Sequence, residues 1–263
     1  MVSIRNRAKE RLEAGELALG IGLRLARTVE IGKLMKTAGY DFLFIDMEHG
    51  SMSVDQAAQL SIAAQDAGIT PIVRVPGFEH FHATRVLDAG AQGIVVPHVD
   101  TPEVAARIVS NCRYPPVGHR SVTGAVPQLD FASHPMAEWT RAVDEATLLI
   151  LMIETPLAVE NLDQIAAVQG FDVLLVGTND LCIEMGIPGQ PEHPRVVSAF
   201  ERLVAACRTH GKYAGLGGVY EPRLIQRYIE LGFRLVLAGN DLPLLLAAAS
   251  ERAATVRAVP LPG

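Results

Sequence analysis

Lysine is scarce in this chain. Of 23 basic residues only Lys9, Lys33, Lys36 and Lys212 are lysines, and none of them ends an apolar run. Covalent amine catalysis needs a lysine desolvated on a strand or in a pocket, so a Schiff-base mechanism is not expected. Cysteine is scarcer still. Cys112, Cys182 and Cys207 are an odd, widely spaced set without a CxxC pair, which argues against a disulfide framework and a zinc site. Cys112 and Cys207 read most simply as small buried apolar residues. No Lys/Arg run occurs and the formal net charge is −6. Nucleic acid is therefore a poor partner, because phosphate neutralisation needs a basic face. No apolar stretch approaches the roughly 18 residues of a membrane span. The segment MVSIRNRAKERLEAGE has no apolar export core, and a soluble, cytoplasmic protein is the expectation. A Pro/Gly/Ser linker is missing too, so the 263 residues read as one domain over 1–263.

What is present is a regular alternation. Short apolar runs at 17–25, 41–46, 70–75, 93–98, 147–154, 172–178, 213–218 and 234–239 read as strands. Amphipathic segments at 28–38, 53–67, 80–89, 102–111, 156–168, 193–209, 221–231 and 242–257 read as helices. The punctuation agrees. Ser53 with Gln56 forms a capping-box pattern, Thr101-Pro102 a cap followed by a first-turn proline, and Gly211 and Gly232 close helices. Runs that are apolar throughout, rather than alternating, are buried on both faces, as in a parallel sheet covered by helices. Eight βα units predict a single-domain (β/α)8 barrel. An open doubly wound sheet is the alternative, but no Gly-x-Gly-x-x-Gly follows the first run. The Pro/Gly-rich stretch 112–146 is longer than a usual loop; following strand four, it is expected over the active-site end.

Two of the runs stop at carboxylates: LLILMIET at Glu154 and VLLVGTND at Asp180. In a barrel the strand C-termini converge on the catalytic face, and neighbouring strands lie about 4.8 Å apart. Two carboxylates that close share a proton or bind a cation. With oxygen donors only, the cation should be hard, Mg²⁺ or Mn²⁺. Each acid taken alone reads equally well as a helix cap. The run DFLFIDMEHG brings Asp46, Glu48 and His49 to the same face, with His49 a candidate base. Arg74 interrupts PIVRVP; a buried arginine needs an anionic partner, either a substrate oxygen or a structural acid such as Asp46 or Asp88. His98, ending strand four, is a weaker candidate. The turns GLGG and AGND suggest a phosphate site only faintly.

These residues lie in pieces that together resemble the HpcH/HpaI family of metal-dependent pyruvate aldolases: DFLFIDMEHG, PIVRVP, LDAGAQGIVVPHVDTPEVAARIV, RYPPVGHRS, MIETPLAVENLDQI, GFDVLLVGTNDL and LVLAGNDLPLL. The resemblance spans essentially the whole chain. It implies a (β/α)8 barrel, assembled as a hexamer (a trimer of dimers) whose last helix, about 242–257, packs on a neighbouring subunit. It implies a divalent metal (Mg²⁺ or Mn²⁺, with Co²⁺ also compatible) on Glu154 and Asp180. It further implies His49 as base with Asp46 or Asp88 as its acidic partner, Arg74 on the oxo acid, and the amides of Gly177, Thr178 and Asn179 facing the substrate carboxylate. Relatives commonly carry Gln where this chain has Met152, an aromatic residue where it has Arg24, and GPAD where it has GTND. Arg24 is thus a candidate second anion contact, with pyruvate or hydroxypyruvate as donor. The expected reaction is reversible cleavage of 4-hydroxy-2-oxo acids to an oxo acid and an aldehyde. Rival readings are an acyl-CoA lyase of the citrate lyase or malyl-CoA lyase type, and a catalytically inactive barrel serving as a binding protein.

Overall fold

The computed structural model describes residues 2–261; Met1, Pro262 and Gly263 of the expected 1–263 domain lie outside the described residues. Eight parallel strands close into a barrel in chain order. They are β1 (Ala18–Leu23), β2 (Phe42–Asp46), β3 (Thr70–Arg74), β4 (Gly93–Val96), β5 (Leu148–Ile153), β6 (Val173–Gly177), β7 (Tyr213–Gly217) and β8 (Leu235–Asn240). Each falls within a few residues of its expected position. The caps form as expected: Ser53 and Gln56 make the reciprocal capping box, and Thr101 accepts from the Val104 amide ahead of Pro102. Gly211 ends its helix at φ 66°, a left-handed position where a Cβ is strained. The segment 156–168 is two helices, Pro156–Glu160 and Leu162–Ala167, broken at Asn161.

Strand side chains alternate between two cores. Phe42, Phe44, Ile72, Val95, Leu148, Ile150, Met152, Val173, Leu175, Leu235 and Leu237 fill the barrel interior. Their neighbours Leu43, Ile45, Val73, Leu149, Leu151, Leu174 and Val236 pack outward under the helices. This parity positions the site. Asp46 follows Phe42 and Phe44 in the inward row of β2, and Arg74 follows Ile72 on β3. Glu154 continues the row of Ile150 and Met152 one residue past β5. The N-terminal end of the barrel is closed by the helix Arg7–Glu13, whose Ala8 and Leu12 join the interior core. Asn6 secures this plug by donating to the carbonyls of Gln92 and Ala146 at 2.9 and 2.7 Å.

The stretch 112–146 is not over the catalytic end. The helix Pro102–Cys112 carries the chain back before the stretch begins. Gln128 then donates to the carbonyls of Leu87 and Ala91, just before β4, and Arg113 reaches Thr147 and Asp172, just before β5 and β6. It is also less irregular than its composition suggests, because Met136–Ala146 is an amphipathic helix with Trp139, Ala142 and Val143 buried. All three cysteines are buried and unpaired. Burial pushes the Cys112 and Cys207 thiols up to about 12, which leaves them unreactive.

Candidate active site

At the C-terminal end of the barrel lies a cavity of about 170 Å³, lined by Arg24, Phe44, Asp46, His49, Arg74, Met152, Gly177, Thr178, Asn179, Asp180, Gly217, Gly218, Tyr220, Leu237 and Asn240. No lysine lines it. Its floor is an ion-pair network set by strand register. Asp46 and Arg74 are direct partners across β2 and β3. Arg74 grips Asp46 with two parallel bonds, Nε to Oδ1 at 3.0 Å and Nη2 to Oδ2 at 2.6 Å. Its remaining nitrogen, Nη1, lies 2.9 Å from Oε2 of Glu48, an ion pair without a hydrogen bond's alignment. Arg24 adds a bond from Nε to Asp46 Oδ2 at 3.1 Å.

Burial alone would raise the pKa of Asp46. The hydrogen bonds and charge of Arg74 outweigh it, with help from the His49 amide and Arg24, and hold the carboxyl below its usual range. Burial likewise works against the Arg74 cation and is outweighed by Asp46, Glu48 and Glu154. The arginine is therefore a fixed positive charge at the cavity wall.

His49 presents a half-exposed imidazole to this cavity. Neither expected acid orients that ring within the chain. Asp46 touches His49 only through the backbone, accepting the amides of Glu48 and His49 at 3.1 Å each, because Arg74 and Arg24 occupy its carboxylate. Asp88 ends the helix that returns from β3, so it lies at the opposite end of the barrel, where Arg120 binds it at 2.6 Å. The acid beside the imidazole is Glu48, 3.9 Å from Nε2.

The two carboxylates that end apolar runs are not helix caps. Thr155, not Glu154, caps the following helix by accepting from the Ala158 amide. Glu154 is buried and accepts one hydrogen bond, from the His98 amide to Oε2 at 3.0 Å. Asp180 belongs to the first turn of the helix Thr178–Glu184, and among the described residues its carboxylate accepts no side-chain or backbone hydrogen bond. The GTND segment is therefore a strand end running straight into a helix. The first-turn amides of that helix have no partner inside it and open on the cavity wall formed by Thr178 and Asn179. Gly177 is required here, since a Cβ on it would lie 2.4 Å from Oε1 of Glu154.

Burial pushes the Glu154 carboxyl up to about 7. The charges of Asp180 and Glu48 add to that, while the His98 amide and ring oppose it. The imidazole of His98 stands between the two glutamates, Nδ1 3.5 Å from Glu154 Oε2 and Nε2 3.7 Å from Glu48 Oε1. It is held there by a backbone φ of 53°, a left-handed conformation uncommon for a side chain of this size. Sequence reasoning placed Glu48 and His98 near this face without giving them partners. It missed Tyr220 and Asn240, which bond each other at 2.9 Å beyond β7 and at the end of β8. Asn240 stands inside the AGND turn, but nothing in that turn distinguishes it from an ordinary loop residue.

The donor set fits a hard divalent cation. Three acids, Glu48, Glu154 and Asp180, act on one another in a largely buried space, an arrangement that neutral pH penalises unless a cation or proton offsets it. The available donors are oxygens. Among the described residues no cluster of three or more His, Cys, Asp and Glu ligands forms. Glu154 and Asp180 would thus hold such an ion with positions left for water and substrate, as Mg²⁺ and Mn²⁺ tolerate.

Comparison with known proteins points the same way. Residues 26–248 match the family model described as HpcH/HpaI aldolase/citrate lyase. The chain is 39% identical to a 4-hydroxy-4-methyl-2-oxoglutarate aldolase of Hapsidospora irregularis, covering 99% of this chain and 98% of that one. It is 36% identical to a hydroxypyruvate/pyruvate aldolase of Pseudomonas aeruginosa, covering 94% of this chain and 91% of the relative. Among solved structures, an HpcH/HpaI aldolase from Desulfitobacterium hafniense superposes with a TM-score of 0.92 at 30% identity, covering 97% of this chain and 98% of the other.

Proposed function

Because the chain belongs to the HpcH/HpaI aldolase/citrate lyase family, we propose that it is a divalent-metal-dependent aldolase acting on 4-hydroxy-2-oxo acids. The observation that carries this reading is the buried Glu154 carboxylate, free of any capping duty, beside Asp180 and across the cavity wall from an Arg74 already committed to two acids.

A cation on Glu154 and Asp180 would supply Lewis-acid stabilisation of the negative charge that develops on the oxo acid. The protein's own groups do the rest. The first-turn amides around Thr178 and Asn179 receive the substrate carboxylate, as helix N-termini receive anions. Arg74, fixed by Asp46 and Glu48, presents positive charge to the oxygen that becomes the enolate oxygen, and needs no reorganisation when charge appears. His49 takes the proton from the C4 hydroxyl as the C3–C4 bond breaks. The bond's electron pair passes to C3, C4 becomes a carbonyl, and protonation at C3 releases the oxo acid. Phe44, Met152 and Leu237 supply the apolar wall that limits water.

Assembly belongs to the same proposal. The helix Asp241–Arg257 buries none of its residues against the barrel, and Leu242, Leu244, Leu245, Leu246 and Val256 stand about half or more exposed on it. An apolar face of this kind on a folded protein is a contact surface, and a second copy of the chain, within a hexamer, is the occupant that the family implies.

The deciding experiment measures pyruvate release from 4-hydroxy-2-oxo acids with chelator, then with Mg²⁺, Mn²⁺ or Co²⁺ restored. Chelator-sensitive, metal-restored cleavage is expected. Cleavage indifferent to chelator removes the metal role, and absence of cleavage with every metal removes the aldolase reading.

A further inference from the structure

In the aldolase reading, on which this inference rests, the donor half of the substrate has its partners and the acceptor half has none. In a closed barrel of eight strands, β1 lies across the mouth from β5. Glu154 follows β5 and Arg24 follows β1. A substrate whose oxo-acid end sits at β5 and β6 therefore extends its C4 end toward β1 and β8, where Arg24, Tyr220, Leu237 and Asn240 line the cavity.

Arg24 is held in place but not used up. Asp241 fixes the loop that carries it, accepting the amides of Arg24, Leu25 and Ala26 at 3.0, 2.9 and 2.7 Å. The guanidinium makes one side-chain bond, from Nε to Asp46. Among the described residues Nη1 and Nη2 donate to nothing, and the side chain is 42% exposed. Arg74 differs, with all three of its nitrogens facing acids. The free edge of Arg24 is a planar pair of donors, the geometry that matches a carboxylate. A neutral acceptor aldehyde offers it no partner.

We propose that Arg24 binds a carboxylate on the acceptor half of the substrate, so that the acceptor is an α-oxo acid and the substrate a 4-hydroxy-2-oxo diacid. The small cavity favours a short acceptor, with the carboxylate on the carbon that bears the hydroxyl. The cleavage balances as before. The C3–C4 bond breaks, its electron pair stays with the donor, and the C4 hydroxyl loses its proton to His49. C4 leaves as the keto or aldehyde carbon of a second oxo acid.

The test uses two substrates that share the donor half. 4-Hydroxy-2-oxoglutarate carries a carboxylate at C4, and 4-hydroxy-2-oxopentanoate carries a methyl group there. The readout is the ratio of kcat/KM for the first over the second, in the metal-loaded wild type, in Arg24→Gln and in Arg24→Lys. A ratio cancels any general loss that Arg24 causes through Asp46 and Arg74. Wild type should favour the diacid, Arg24→Gln should lower the ratio by about 10- to 100-fold, the worth of one hydrogen-bonded charge, and Arg24→Lys should fall between. A ratio unchanged by Arg24→Gln overturns the assignment even if both activities fall, and so does a wild type that favours the monoacid. A wild type that cleaves neither substrate with any metal rejects both the aldolase reading and this inference; one that cleaves the monoacid normally with an unmoved ratio rejects the inference alone.

Discussion

Arg74 and Arg113 are buried to the same depth, their side chains 6% and 7% exposed, at opposite ends of the barrel. Arg113 donates to the carbonyls of Gly170, Asp144 and Thr147 at 2.8, 2.6 and 3.1 Å and to Asp172 at 2.7 Å. Lys9 and the Leu149 amide complete Asp172. Most of the partners of Arg113 are backbone carbonyls that tie three chain segments together, and they cannot change charge. Arg74 faces only carboxylates, and those open on a cavity that also holds an imidazole and further acids. Depth of burial does not separate the structural arginine from the one suited to chemistry. The kind of partner does, together with what that partner touches next.

The sharpest way to break this comparison is to neutralise the acids near Arg74. Glu154→Gln or Asp180→Asn should lower kcat/KM by on the order of 10³-fold, since each removes a charge that would hold the cation. Calorimetric titration with Mn²⁺ should show weakened binding, while thermal stability stays level or rises for Glu154→Gln, because a buried carboxylate is gone. Unchanged Mn²⁺ binding would place the ion elsewhere.

Substituting the two arginines in parallel comes next. Arg74→Met should cost roughly 10²- to 10³-fold in kcat. Arg113→Met should instead cost about 3–5 kcal/mol of unfolding free energy, and the folded fraction should retain kcat within a few-fold. Denaturant melts and initial rates on the same samples read both effects. Equal catalytic losses would erase the distinction between the two arginines.

A smaller effect is expected on pH. The Glu154 carboxyl rises from its ordinary 4.5 to about 7 on folding, so the folded state keeps a proton that the unfolded chain has released. The stability it contributes is full below about 4.5 and lost as pH climbs through about 7. The metal-free protein should melt at progressively lower temperature across that window, with the slope reduced in Glu154→Gln and offset by added Mn²⁺. A slope identical in wild type and variant would assign it to other groups. The mildest expected change is in assembly. Leu245→Glu on the helix Asp241–Arg257 should shift sedimentation toward smaller species while barrel circular dichroism persists; an unaltered sedimentation profile would leave that face without a partner copy.

Much of the barrel was legible from residue order. Eight apolar runs, each bounded by turn chemistry, place the strands within a few residues, and the period of two then aims Asp46, Arg74 and Glu154 inward. Pairing was not legible. Parity says which way a side chain points but not which of several acids it meets, so the oxygens that Arg74 takes from Asp46 and Glu48 appear only in three dimensions. Position along the barrel axis was misjudged for 112–146 and Asp88 for one shared reason. Each lies after a returning helix, and a βα unit reverses direction at that helix. His98 was underweighted because its placement depends on a left-handed backbone angle that no composition cue announces.

One residue joins two surfaces that otherwise look separate. Asp241 starts the outward-facing C-terminal helix and also clasps the three amides that seat Arg24. Whatever docks on that helix therefore leans on the lever that sets the guanidinium at the barrel's rim. Subunit contacts and the choice of carbonyl compound share a single mechanical joint, and a lineage that remodels one inherits a nudge to the other.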